Sequence, residues 1–273
     1  MTEVTHGTLR VGPMVPWSRP FFRIVSWNIE RGLRFANILQ FLRTIQADLI
    51  LLQEADLNAR RTQYRDVSRE LARALDMNFV FGKEFQELSE GSKASPAFHG
   101  QATLSPWPLS NGRIIRFGDQ SGFWKPRRYI PHLGVFQRRV GGRIALVAET
   151  SIYGQKLVSY NLHLESKGDD ALRLRQLGEV LVDCRRYPNR PTFVIAGDFN
   201  LDASTGDAAK ALRGGFHDAV RLSGGPTTPP HGLPPHAHAI DWIFVSHGLD
   251  SDGRVHNDVR ASDHYPVSAT FPR

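Results

Sequence analysis

Acids, amides and histidines in this chain fall where apolar segments end. Asn28 and Glu30 close FFRIVSWNIE, Glu54 closes LILLQE, and Asp198 and Asn200 close FVIAGDFN. His163 stands in NLHLES, Asp241 interrupts the apolar run HAIDWIFVS, and Asp263 with His264 precedes YPVSATF. A carboxylate among apolar neighbours is costly unless something pairs with it. Taken singly, Asp-Phe-Asn or Ser-Asp-His reads as a turn or a helix cap. Their recurrence at the ends of separate strands points instead to one shared site.

The chemistry open to such a set is specific. Hard divalent cations such as Mg²⁺, with Mn²⁺ as a substitute, take oxygen ligands and bind through one or two carboxylates plus substrate phosphate. The chain's single cysteine, Cys184, leaves no thiolate cluster to hold a softer metal. Histidine supplies proton transfer, and a neighbouring carboxylate holds its ring in one tautomer. Asparagine amides donate to phosphate oxygens without adding negative charge. Together these groups suit metal-assisted attack of water on a phosphate ester.

The elements that must position them follow from periodicity. FFRIVSWNIE, DLILLQE and NFVFGKEF read as strands, and Ile38, Leu39, Leu42 and Ile45 mark an amphipathic helix over 36–46. Tyr64, Val67, Leu71, Ala74 and Leu75 mark a second helix. Residues 90–150 read as short strands with long connections. In KLVSYNLHLES, Val158, Tyr160, Leu162 and Leu164 face one way, and Ser159, Asn161, His163 and Glu165 the other. A helix over 170–186 precedes the strand PTFVIAGDFN; HAIDWIFVS and YPVSATF are the closing strands. Strands mixed with helices throughout indicate one α/β domain.

The chain has 273 residues, 41% of them hydrophobic and 22% charged, enough to bury a full core and too apolar for disorder. Residues 1–20 carry three prolines and no periodic pattern, and read as an N-terminal arm before a catalytic domain over 21–273. No apolar run approaches the length of a membrane span, and the N-terminus lacks a secretory pattern. With one cysteine and no disulfide framework, the expected location is cytoplasmic. The formal net charge is +7, which fits a polyanionic partner.

SWNIERG, LILLQEAD, NLHL, VIAGDFN, IDWIFVS and SDHYPV occur in this order and span nearly the whole chain, from Ile24 to Phe271. The series resembles the motifs of the endonuclease/exonuclease/phosphatase superfamily. That resemblance implies a four-layered α/β/β/α sandwich of two mixed β-sheets, as in deoxyribonuclease I, and a Mg²⁺-dependent hydrolase of phosphoester bonds. It makes Glu54 the principal metal ligand, with Asn28 near by as a substrate-binding amide, Glu30 acting through water or at a second metal position, and Asp263 a further metal-site acid. Asp198 and Asn200 match the pair that orients the attacking water and contacts the scissile phosphate. His264 matches the histidine beside the phosphate, Asp241 the acid on its ring, and His163 the candidate general acid for the leaving oxygen. HGQATLS departs from the family pattern, with Gln101 in a position usually held by Asn, where its amide can still donate to phosphate. Ala239 replaces a basic residue common in relatives. The absence of a Trp-Cys-Asp-Arg signature disfavours the inositol-polyphosphate phosphatases.

From Arg113 to Arg143 stand seven arginines and Lys125, interleaved with Phe117, Phe123, Trp124, Tyr129 and Phe136. That composition grips a nucleic-acid backbone and stacks bases; the alternative is core aromatics and solvated arginines. Arg60, Arg61 and Arg65 stand where they would flank the site. The expected activity is a phosphodiesterase or nuclease acting on nucleic acid. The alternatives are a sphingomyelinase-like phospholipid phosphodiesterase, a small-molecule phosphatase, or a catalytically silent binding domain of the same fold.

Overall fold

The apolar segments pair into two sheets. The computed structural model describes residues 3–8, 19–124, 137–152, 154–220, 225–232, 234–246 and 250–272. In chain order the first half holds β1 (Val4–Gly7), β2 (Phe21–Arg31), α1 (Phe35–Ile45), β3 (Leu49–Leu57), α2 (Val67–Ala74), β4 (Asn78–Glu87), β5 (Ala97–Ser105) and β6 (Ser110–Arg116). Then come β7 (Arg139–Gly141), β8 (Ile144–Ile152), β9 (Gln155–His163), α3 (Asp170–Cys184), β10 (Thr192–Asp198) and α4 (Gly206–Arg213). The last elements are β11 (Phe216–Asp218), β12 (Asp241–Ser246), β13 (Asp252–Val255) and β14 (Val267–Pro272).

One sheet has the order β1-β4-β5-β3-β2-β14-β13, with β7 also on β4; the other runs β11-β12-β10-β9-β8-β6. Parallel pairing occurs at β2/β3 and at β9/β10, the pairs whose connections run through α1 and α3. Asp66 and Asp169 cap α2 and α3, their carboxylates accepting from Arg69 N and Leu172 N.

Three apolar layers hold the sandwich. Ile38 and Leu42 of α1 and Val67 and Leu71 of α2 bury against Val25, Trp27, Ile50 and Leu52 on the outer face of the first sheet. Leu177 and Val180 of α3 and Leu212 of α4 cover Val158, Tyr160 and Ile195 on the second. Between the sheets, Ile24, Leu49 and Leu51 meet Val194, Ala196, Ile243 and Val245. The fold is therefore the four-layered α/β/β/α sandwich.

Polar side chains also cross between the sheets. Asn161 Nδ2 of β9 donates to the Leu52 and Ala102 carbonyls at 3.0 and 2.9 Å, and its Oδ1 accepts from Gln53 at 2.7 Å. Buried amides that are satisfied in this way set the register of two sheets more narrowly than apolar contact does.

Several expectations need correction. Val4–Gly7, within the segment expected as an arm, forms a strand on β4, while residues 9–18 lie outside the described set. Residues 90–150 contain β5 and β8, each nine residues long. Leu164 and Glu165 continue the alternation of β9 beyond its end, buried at 0% exposure. The sequence reading missed α4, β11 and β13, which are all short.

Candidate active site

Three neighbouring strands of the second sheet bring their polar ends into one row. Asp198 of β10 lies opposite His163 of β9 and opposite Asp241 of β12. The close approach of β9 and β10 depends on Gly197, at φ 146°, where an added Cβ would lie 2.0 Å from the Leu162 carbonyl oxygen. Facing this row, β2 and β3 both slip register, between Asn28 and Arg31 and between Leu52 and Ala55. At these bulges Glu30, Arg31 and Glu54 adopt left-handed backbone, with φ of 45°, 67° and 57°. Each such residue costs on the order of 1–3 kcal/mol, and bulges of this kind re-aim side chains beside active sites.

The side chains converge on one carboxylate. Asp198 Oδ2 lies 3.6 Å from His163 Nε2 and 3.7 Å from His264 Nε2, and accepts from Asn28 Nδ2 at 3.1 Å. Its other oxygen accepts from the Asn200 backbone N–H at 2.9 Å. Each imidazole is backed by a buried acid at Nδ1: Asp241 at 2.8 Å from His264, and Glu84 at 3.5 Å from His163. Thr227 donates its hydroxyl to Asp241 at 2.6 Å. Glu54 Oε1 is 4.0 Å from His163 Nε2, and Arg31 approaches its other oxygen at 3.7 Å.

Electrostatics set the protonation states. Burial works against charge on the His264 ring, but Asp241 and Asp198 outweigh it and hold the ring protonated, its pKa raised to about 10. Burial likewise pushes Asp241 up, with His264 opposing it. Burial would raise Glu84 too, yet Arg143, in ion-pair contact at 2.6 Å, and His163 pull it down to about 2. At Glu54, burial is overcome by His99, His163, Arg31 and Arg143, and the carboxyl sits well below the usual range.

Asp198, Asp241 and His264 each offer a ligand atom within 4.8 Å of one another, an acidic and histidine cluster that could hold a metal. Both Asp241 oxygens, however, already lie within hydrogen-bond distance of the His264 ring, at 3.1 and 2.8 Å. Glu54 is ionised, partly open at 17% side-chain exposure, and beside the shared Asp198–His163 contact. An oxygen donor of this kind fits a hard divalent cation.

Not every residue singled out from sequence joins the cleft. Gln101 is fully buried; its amide donates to the Ile144 carbonyl at 2.9 Å and accepts from Leu146 N at 3.1 Å, so it ties the sheets together. Glu30 lies at the bulge that breaks strand alternation, and its carboxylate pairs with Arg34 at 2.9 Å. Asp263 is exposed beside His264, within hydrogen-bond distance of Ser262 Oγ at 3.2 Å. Asn200 directs its side-chain amide to the Leu164 carbonyl at 3.1 Å. Arg61 is engaged by Asp56 and Glu87, and Arg65 by Glu70. In the arginine-rich stretch, Phe117 is core, Arg113 pairs with Asp183 and Arg143 with Glu84. Lys125, Arg127, Arg128, Tyr129 and Phe136 lie outside the described residues.

Two contributors escaped the sequence reading. Glu84 interrupts the apolar strand NFVFGKEF as Asp241 interrupts its own, so the same rule of a buried acid needing a partner applies to it. Thr227 sits in a proline- and histidine-rich loop and carries no local signal; only the fold brings it to Asp241.

A family model described as "Endonuclease/Exonuclease/phosphatase family" matches residues 25–264. A search of the curated proteins found no match. Among solved structures, an endonuclease/exonuclease/phosphatase from Beutenbergia cavernae DSM 12333 is similar at 19% identity and TM-score 0.66, over 93% of this chain and 72% of that one. The human Nocturnin catalytic domain with bound sulfate anion is similar at 20% identity and TM-score 0.65, over 93% and 94%. D. rerio TDP2, complexed with single strand DNA product, is similar at 22% identity and TM-score 0.61, over 93% and 100%. At these identities the likeness to solved structures establishes the fold.

Proposed function

Because the chain belongs to the endonuclease/exonuclease/phosphatase family, whose members are generally phosphoester hydrolases, we propose that it is a divalent-metal-dependent phosphodiesterase acting on nucleic acid. The observation that carries this reading is the pair of imidazoles, each backed by its own buried acid, both aiming Nε2 at Asp198. Glu54 would hold the cation. When bound, Mg²⁺ or Mn²⁺ supplies neutralisation of the charge that develops on the phosphate.

The chain's own residues account for the remaining needs of the reaction. Asp198, held by Asn28 and the Asn200 N–H, positions the attacking water and receives its proton as the new P–O bond forms. His264, cationic on Asp241, donates from Nε2 to a phosphate oxygen. His163 stands at the opposite side of Asp198 and delivers a proton to the leaving oxygen as its P–O bond breaks.

The nucleic-acid assignment draws on the net charge of +7 and on the likeness to a fold seen with single strand DNA product in D. rerio TDP2. A lipid substrate calls for a protruding apolar surface. Among the described residues, the exposed large hydrophobics are Leu33, Tyr64, Phe123 and Val182, in separate parts of the chain. The test is a comparison of kcat/KM with Mg²⁺ on single-stranded DNA, RNA, sphingomyelin vesicles and a phosphomonoester. Preference for an oligonucleotide supports the reading; turnover confined to sphingomyelin or to the monoester contradicts it.

A further inference from the structure

Phe123 keeps 56% of its surface in water. A single exposed apolar side chain is ordinary on a protein surface; what distinguishes this one is its mounting. Its ring meets Trp124 edge-on at 4.6 Å, and Trp124 packs on Phe85 at 5.3 Å. The Arg139 guanidinium covers Trp124 and Phe85 at 5.3 and 5.2 Å, and the Lys167 ammonium lies 6.0 Å from the Phe123 ring centroid.

The ledge is fastened to the catalytic row by one residue. Glu165, fully buried and two residues beyond His163, accepts from Ser121 N at 3.3 Å, Trp124 Nε1 at 3.4 Å and Lys167 N at 3.0 Å. Gln176 of α3 accepts from the Glu165 backbone N–H and donates to the Asp119 carbonyl, so hydrogen bonds join helix, ledge and catalytic strand. An open ring with the Lys167 ammonium beside it, on the His163 side of the cleft, matches a planar group carried between phosphates; Arg139 supports Trp124 and is itself held by Glu87 at 2.8 Å. A π-face accepts any base, and a flanking cation tracks the backbone.

We propose that Phe123, with Lys167 beside it, is a stacking subsite for the nucleobase on the leaving-group side of the scissile phosphate, and that the substrate is single-stranded. This rests on the nucleic-acid reading above. A base within a duplex is already stacked and paired, and extruding it costs a few kcal/mol.

The test is a cycle combining a protein change with a substrate change. Wild type and Phe123→Ala are assayed on a single-stranded oligonucleotide with a mapped cut, and on the same strand with an abasic residue on the leaving side of that cut. Loss of one stacked base is expected to raise KM about tenfold, and Phe123→Trp to restore it. Both changes together should cost no more than either alone, because each removes the same contact. Thermal unfolding checks that the variant is folded. Phe123→Ala with wild-type KM on the intact strand, or with losses that multiply with the abasic change, overturns the subsite and leaves the nuclease reading standing. A wild-type protein that hydrolyses simple phosphodiesters but no oligonucleotide overturns both.

Discussion

His163 and His264 share a target and differ in what stands behind them, which separates their kinetic roles. General acid–base contributions are roughly 10²–10⁴-fold, so replacing either ring by Ala should lower kcat on an alkyl-type phosphodiester by about that factor. A nitrophenolate leaves without a proton, so a nitrophenyl diester should restore most of the His163→Ala loss and little of the His264→Ala loss. Equal losses on both esters would refute this division. Glu84→Gln should behave in kcat as a milder His163→Ala, since Glu84 backs the ring at 3.5 Å without touching substrate. It should also lower Tm, because it leaves the buried Arg143 without its 2.6 Å partner. Most of this residue-scale picture was legible because Asp198, Asp241 and His264 sit beside apolar strands, where an unpaired charge would be destabilising. Glu84 obeys the same rule, whereas nothing local could reveal that the Gln101 amide lies between two sheets.

At the scale of elements, strand ends deliver the groups and irregular backbone aims them. Gly197→Ala would force a Cβ against the Leu162 carbonyl at a φ that L-residues avoid. Denaturant unfolding should show a loss of roughly 3 kcal/mol or more, and wild-type stability in that variant would contradict the β9/β10 geometry. The β13–β14 hairpin carries a separate pH response. His256 is buried, near an edge contact with Phe41 and hydrogen-bonded to Ser268 at 2.8 Å; burial, then Arg254, lowers its pKa to about 4. An unfolded chain takes up that proton near pH 6.5 and the folded chain only near 4, so this contribution is full above pH 6.5 and lost as the pH falls towards 4. The loss is on the order of 3 kcal/mol. Thermal unfolding should therefore show the gap between wild type and His256→Gln closing over that window, and parallel curves would contradict it. Long elements such as β2, α1, β3 and α3 follow from periodicity; the bulges at Glu30 and Glu54 do not, because local propensity does not encode where a partner strand slips.

Across the whole molecule, the closed sandwich sets His163 of the second sheet against Glu54 and Glu84 of the first, and Asp198 and Asp241 of the second against His264, just before β14 of the first, so the cleft exists only when the sandwich closes. The layers were legible from which residues alternate, as with Val158, Tyr160 and Leu162 against Ser159, Asn161 and His163. Pairing order was not, since β5 lies between β3 and β4 through contacts distant in sequence. The central claim is that this cleft hydrolyses phosphodiesters with a cation held at Glu54. Its most direct test is the rate of nitrophenyl phosphodiester hydrolysis by chelator-treated protein as Mg²⁺ is returned, for wild type and Glu54→Gln. The expected result is negligible turnover in chelator, recovery with Mg²⁺ in wild type, and a requirement for at least about tenfold more Mg²⁺ in Glu54→Gln, with cooperative thermal unfolding showing that the variant is folded. Full activity after chelation, or the same Mg²⁺ dependence in both proteins, would contradict it.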